Sequence, residues 1–321
     1  MNKLMLNLCA AVLIAGCSGS AEITETRKLN INEISSLQFL QGMHGAENIY
    51  LDTSSPSIYV TDLSGTIYLV EESKDGKLFI SASIDFGELA TGIIEGKDGF
   101  LYAGGSRYPE KDYLREKGGS VFRIDKELNR YEILYSAYRG INGLATDSNG
   151  HLYFTTGNLK FLSPKGAVYK MSYDPGQNTY GSPFKIIDRL GSANGLYYSE
   201  YYDALIITET FSGVSKIDLS SNTAAPLLNK SKMVEGFDDV TVDSKGRIWV
   251  AEPVGGFIKV LDPAEKKLTR FRIEGLGVAS SCRIGFDAHG EEVIYISERQ
   301  LKKNNDGRGL IAIPLSSFKA D

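Results

Sequence analysis

One phrase recurs along the chain: a polar residue, a short apolar stretch, an acidic or polar turn closing on glycine, then a β-rich run. It is plainest from Asn142 to Tyr153 and from Asp238 to Trp249, where the polar residue lies five before the turn Asp and eight before the turn Gly. The same count finds Glu47, Thr91, Asn194 and Cys282. The six starts are therefore 44, 51, 52, 44 and 44 residues apart. After each turn comes a strand-like segment, such as Ile58-Tyr59-Val60, Leu152-Tyr153-Phe154 or Ile248-Trp249-Val250. A period of this length is that of one four-stranded blade. The pattern predicts an all-β, six-bladed β-propeller over residues 30–321.

The last repeat supplies Leu310–Ile313 as its third strand and then the chain ends. Its outermost strand is expected from Leu37 to Leu40, which closes the ring with both termini in one blade and removes an open sheet edge. A short amphipathic helix over residues 31–43 is the competing expectation.

The N-terminus follows a different pattern. Lys3 precedes an apolar run from Leu4 to Ile14, which ends in Ile14-Ala15-Gly16-Cys17. Residues 1–16 read as a signal peptide. Small residues before Cys17 look like a bacterial lipobox, with Cys17 the lipidated residue, against the simpler reading of an ordinary leader. Ser18 after it favours the outer membrane, by similarity to other lipoproteins. Residues 17–29 are then a lipid-anchored tether. The expected setting is the cell envelope, facing the periplasm, with the N-terminal lipid as the sole contact with the membrane. After cleavage and lipidation the single thiol left is Cys282, so no intramolecular disulfide forms and the fold holds by packing.

If each repeat opens with a blade's innermost strand, the six starting residues face one axis at one end of the channel. Four of them, Glu47, Asn142, Asn194 and Asp238, carry side-chain oxygen, and two are carboxylates. That set suits one hard divalent cation, Ca²⁺ foremost with Mg²⁺, Mn²⁺ or Zn²⁺ as alternatives, more than a soft-metal cage. Single Asn and Asp residues commonly do no more than make turns; four oxygen donors at one register are harder to explain so. Thr91, Cys282 and Arg139 are channel residues in reach of a substrate. Cys282 reads as a packed residue more than a nucleophile. Asp239 alternates away from the ring, toward a turn or blade contact.

The segments Gly45-Ala-Glu47-Asn, Ile141-Asn142-Gly, Ala193-Asn194-Gly-Leu, Gly236-Phe-Asp238-Asp-Val and Ser280-Ser-Cys282 resemble those of the senescence-marker-protein/gluconolactonase/regucalcin family. Paraoxonase-type arylesterases and strictosidine-synthase-like proteins share the wider architecture. The resemblance covers residues 40–315 and implies a six-bladed propeller holding one divalent cation through Glu47, Asn142, Asn194 and Asp238. It also implies metal-dependent hydrolysis of a lactone or ester, with Asp238 as base or nucleophile. The chain departs from the family at two places. An Arg expected two residues before the first Asn ligand and an Asp just after it are Gly140 and Gly143 here, with Arg139 one place away. Thr91 stands where the paraoxonase type has His.

The second strands end in Asp62, Gly105, Thr156, Glu209, Glu252 and Glu298 at the same channel end. Glu209, Glu252 and Glu298 are candidates to orient the ligand amides, or are solvated rim charges. The longer loops there carry Arg107, Lys111, Arg115, Lys117, Lys160, Lys165, Lys302, Lys303 and Arg308, partly offset by Glu110, Asp112, Glu116 and Asp306. They point to a mildly basic mouth for anionic substrates, or simply to a soluble surface.

Composition excludes several classes. The net charge of −5 over 321 residues argues against nucleic acid as a partner. Three scattered His, at 44, 151 and 289, make a His-based zinc site improbable. There is no Gly-x-Ser-x-Gly elbow, Walker loop or dinucleotide fingerprint. The leading expectation is a monomeric metal-dependent lactone or ester hydrolase. The alternative is a non-catalytic propeller with a structural cation that holds a small molecule, glycan or envelope protein. A metal-free lyase or synthase is disfavoured by the oxygen quartet.

Overall fold

The computed structural model describes residues 23–34, 37–43, 45–107, 118–137, 139–157, 165–229, 236–287, 289–299 and 309–318. Cys17, His44 and the loop residues Glu110, Lys111, Asp112, Arg115, Glu116, Lys117, Lys160, Lys302, Lys303, Asp306 and Arg308 lie outside the described residues. Six four-stranded antiparallel blades stand in a ring, each innermost strand touching the next and the sixth touching the first. Blade 1 runs through Ala46–Leu51, Ile58–Asp62, Thr66–Glu72 and Leu78–Asp85. Blade 2 has Leu89–Glu95, Leu101–Ser106, Gly119–Ile124 and Tyr131–Ala137; blade 3 has Ile141–Thr146, Leu152–Thr156, Gly166–Met171 and Phe184–Leu190. Blade 4 comprises Ala193–Ser199, Ala204–Glu209, Gly213–Asp218 and Thr223–Asn229. Blade 5 comprises Val240–Val242, Ile248–Glu252, Phe257–Asp262 and Lys267–Glu274. Blade 6 takes Val278–Phe286, Glu292–Arg299 and Leu310–Pro314 from the C-terminal end and Gln38–Leu40 from the N-terminal end.

The repeated phrase has a physical cause in the blades where it is plainest. The glycine closing the inner hairpin takes a positive φ at Gly99, Gly150, Gly246 and Gly290, a conformation that L side chains resist. The turn carboxylate is held from the second strand: Tyr102, Tyr153 and Trp249 donate to Asp98, Asp147 and Asp243 at 2.8, 2.9 and 3.0 Å. An aromatic side chain thus buries its body between blades and still satisfies its polar tip.

Two expectations for the N-terminus are corrected. Within the expected tether of residues 17–29, the chain from Ile23 is already part of a strand, Ile23–Asn30, that pairs in parallel with Lys267–Glu274 as a fifth strand on blade 5. Thr26 and Lys28 are exposed and main-chain pairing needs no apolar signature, so composition hid it. Leu29 and the buried Ile31 anchor it on the core between blades 5 and 6. The amphipathic helix proposed over 31–43 is only one 3₁₀ turn, Ile31–Glu33, capped by the Asn30 side chain, before Gln38–Leu40 joins blade 6.

Candidate functional site

The ring begins with a break in strand alternation. In blade 1 Ala46 faces Asp62 and Ile49 faces Val60, so Glu47 and Asn48 together oppose the single residue Thr61. The same bulge places Thr91 and Gly92 against Gly104, Asn142 and Gly143 against Thr155, and Asn194 and Gly195 against Thr208. In blade 5 the Asp238 N–H donates to the Ala251 carbonyl, and the Ala251 N–H donates to the Asp239 carbonyl. A bulge re-aims one side chain per blade, here toward the axis.

Blade 6 corrects the sequence register. Ala279 faces Glu298 and Ser281 faces Ser297, so the extra residue is Ser280, while Cys282 pairs with Ile296 as Ile49 pairs with Val60. The sixth ring position is Ser280. Cys282 is fully buried between blades 5 and 6 among Trp249, Ile258 and Ile294, and burial pushes its thiol up. Counting back from Asp287 misplaced it because this inner strand carries two additional residues before its turn.

A set of hydroxyls that the sequence reading missed holds the ring in place. In blades 1, 3, 4 and 6 the residue opposite the bulge reaches across to the next blade. Thr155 donates to the Asn194 carbonyl at 2.6 Å, Thr208 to the Asp238 carbonyl at 2.6 Å and Ser297 to the Glu47 carbonyl at 2.8 Å. Thr61 does the same to the Thr91 carbonyl. Blade 2 has Gly104 there, and the Thr91 hydroxyl itself lies 2.7 Å from the Ile141 carbonyl. A hydroxyl following the apolar core of the second strand was the available signal.

The second bulge residue is glycine in blades 2 to 4 because the neighbouring strand crosses it. A Cβ on Gly92 would stand 2.2 Å from the Asn142 carbonyl oxygen, and one on Gly143 would stand 2.6 Å from that of Asn194. The family's Asp after the first Asn therefore has no room at Gly143. In the other blades this position holds Asn48, Asp239 and Ser281, which form a buried layer beneath the ring. Asp239 Oδ2 accepts from Asn48 at 3.0 Å, from Arg283 at 2.6 Å and from Ser281. Asp239 is thus a channel group, rather than the turn or blade contact its alternation suggested.

At the ring itself three charged side chains meet. Arg299, from the end of the second strand of blade 6, places one guanidinium nitrogen against both Glu47 Oε2 and Asp238 Oδ2, the latter at 2.9 Å. Asn194 donates to Asp238 Oδ1 at 2.7 Å and to Thr210 Oγ1 at 3.0 Å, so its amide oxygen is the end left for a ligand. Asn142 occupies the equivalent bulge of blade 3 and is half-buried. Burial pushes the Glu47 carboxyl well above the usual carboxylate range. The Arg299 charge pulls it back and Asp238 adds to the rise. Burial also raises Asp238, against the Arg299 charge and the Asn194 hydrogen bond.

Ser280 Oγ is buried with no hydrogen-bond partner among the described residues, and Glu47 Oε2 is met by the Arg299 guanidinium. A buried hydroxyl without a partner, together with two carboxylates and an amide, is the donor chemistry of a hard cation. Among the described residues no three His, Cys, Asp or Glu are grouped to hold a metal. A cation would therefore draw on Asn194, Asn142 and Ser280 beyond its two carboxylates.

The raised carboxyls give a pH signature. A group whose value is higher folded than unfolded binds more protons when folded, and its stabilisation is lost as pH rises through the folded value. In chelator the melting temperature is expected to fall between about pH 5 and pH 8, and Ca²⁺ is expected to remove that fall because ligands bind it ionised. Melting curves at several pH values with and without Ca²⁺ check both signs.

The three rim carboxylates divide. Glu209 accepts from the Gly191 N–H at 2.5 Å and Glu298 from the Gly277 N–H at 2.5 Å, pinning the chain three residues before Asn194 and Ser280. Asp62 does likewise for Gly45 at 2.8 Å, two residues before Glu47. Glu252 instead lies fully buried in an ion network with Arg270 and Lys259. Arg139 lines a groove of about 390 Å³ at the ring end of blades 2 and 3, with Lys165, Lys185, Arg189, Asp188, Tyr135 and Tyr169.

Comparison with known proteins follows this geometry. Residues 136–291 match the family model described as SMP-30/Gluconolactonase/LRE-like region. A lactonase, drp35 of Staphylococcus haemolyticus (strain JCSC1435), is 29% identical over 146 residues, 42% of this chain and 43% of that protein. The chain thus spans less than half the length of the curated relative it matches. The fold is shared with a calcium-binding regucalcin from Agrobacterium tumefaciens at TM-score 0.67 and 13% identity, covering 91% of this chain and 96% of that one. A gluconolactonase from Xanthomonas campestris matches at TM-score 0.62 and 17% identity, covering 87% and 88%.

Proposed function

We propose that the protein is a divalent-metal-dependent hydrolase of a lactone or ester, lipid-anchored through Cys17 and facing the periplasm. The observation that carries the chemistry is the meeting of Glu47, Asp238 and Asn194 at one channel end, with the partnerless Ser280 hydroxyl at the sixth ring position. The similarity to a lactonase and to gluconolactonase and regucalcin folds supports it. The leader sequence alone supports the anchor and compartment.

Glu47, Asn142, Asn194, Asp238 and Ser280 would hold the ion, Ca²⁺ by donor chemistry. What the ion supplies when bound is Lewis acidity toward a carbonyl oxygen and toward water. Asp238 accepts the proton of the attacking water; its burial makes it a stronger base than a surface carboxylate. Asn194 and the Thr208 bond to its carbonyl fix where that carboxylate points. The ring's two carboxylates balance a dication and leave the Arg299 charge over. With the basic groove at Arg139, Lys165 and Arg189 this favours an anionic substrate.

Elemental analysis of the purified full chain, followed by a screen of lactones and aryl esters, tests the reading. One ion per chain and turnover favouring anionic substrates, less so at high salt, is expected. A bound ion with no lactone or ester turned over would instead leave a binding propeller.

A further inference from the structure

Arg299 is not part of the pattern that the blades repeat. It ends the second strand of blade 6, where the corresponding positions in other blades carry Leu63, Ser106, Gly157, Thr210 and Pro253. Its guanidinium nevertheless reaches inward to Glu47 of blade 1 and Asp238 of blade 5, and one Nη2 serves both carboxylates. About a quarter of the side chain is exposed, so it caps the ring from the mouth rather than filling the channel beneath. The layer below has its own cation: Arg283 pairs with Asp239 and also contacts the Val240 and Cys282 carbonyls. The adjacent aspartates 238 and 239 are therefore each matched to a different arginine.

We propose that Arg299 is the resident counter-cation of the ring, and that it competes with the divalent ion for Glu47 and Asp238. This rests on the cation reading of the ring given above. The oxygens that a divalent ion would take, Glu47 Oε2 and Asp238 Oδ2, are the two that Arg299 contacts. Loading the site requires the guanidinium to leave at least one carboxylate, and its charge then lies beside the ion. Both effects weaken the ion's affinity. The mouth position lets the side chain swing into solvent, where Arg is well accommodated. With Arg299 alone two ionised carboxylates keep a net charge of −1, whereas a divalent ion would balance them fully. A freed guanidinium at the mouth is placed to meet a carboxylate or developing oxyanion of the substrate.

The test measures Ca²⁺ affinity by titration calorimetry on the full-length protein, comparing it with Arg299→Gln and Arg299→Lys. Arg299→Gln is expected to bind Ca²⁺ on the order of tenfold tighter or more, and to melt lower in chelator because the paired carboxylates lose their counter-charge. Arg299→Lys keeps the charge and is expected to stay within about threefold of the parent. Equal affinities for the parent and Arg299→Gln overturn the competition while leaving the cation site standing. No Ca²⁺, Mg²⁺ or Mn²⁺ binding by either protein overturns both. If Arg299→Gln fails to fold, Arg299→Met decides: Ca²⁺ affinity equal to the parent's overturns the proposal, and tighter binding supports it.

Discussion

Asp238→Asn is expected to lower turnover of a lactone or ester by about 10³-fold while the protein keeps its fold. The substitution keeps the volume and an oxygen that accepts from Asn194, and it leaves the backbone hydrogen bonds of the bulge untouched. It removes the proton acceptor and one of the two charges at the ring. Stability in chelator is expected to hold or rise, since an isosteric amide is cheaper to bury than a carboxylate. Steady-state kinetics beside melting curves separate these outcomes. Retained turnover would remove Asp238 from the role of base.

Glu252→Ala is expected to cost about 3–5 kcal/mol, seen as a fall in melting temperature of about 5–10 °C. Glu252 is fully buried, accepts from Arg270 Nε at 2.9 Å and faces the buried Lys259 ammonium at 3.5 Å. Deleting the carboxylate strips both cations of the charge they face and opens a cavity between three strands of blade 5. Lys259 also stands 4.6 Å from the centre of the Phe237 ring, next to Asp238 in the chain, so the damage reaches the ring. Glu252→Gln is expected to be milder, because it keeps the volume and part of the hydrogen bonding. Urea denaturation of the three proteins gives the ordering. Parent-like stability of Glu252→Ala would mean that the network contributes little.

Much of the architecture was readable before any coordinates. The aromatic that satisfies the turn Asp and the positive-φ Gly recur because every blade solves the same local problem, and local solutions leave periodic signatures. The closing strand Gln38–Leu40 was readable from arithmetic, since the last repeat lacked its fourth strand. The strand Ile23–Asn30 was not, because a parallel edge strand is held by main-chain bonds that polar side chains do not disturb. Glu47, Thr91, Asn142, Asn194 and Asp238 occupy equivalent bulge positions at the spacing of the repeat. The sixth slipped by two, because spacing from a turn assumes inner strands of equal length and Val278–Phe286 is longer.

The residue pattern along the chain alone specifies six blades, the end of the channel where each begins, and the oxygen-bearing residues Glu47, Asn142, Asn194 and Asp238 at those beginnings. These follow from periodicities of two and of one blade, which are properties of neighbours in the chain. The three-dimensional packing alone decides that Ser280 displaces Cys282, that Thr155, Thr208 and Ser297 tie one blade's bulge to the next, and that Arg299 reaches two carboxylates. Those contacts join residues up to 252 positions apart, as between Glu47 and Arg299. They depend on where the ring closes and on the reach of a long side chain across its mouth, and no local spacing encodes either.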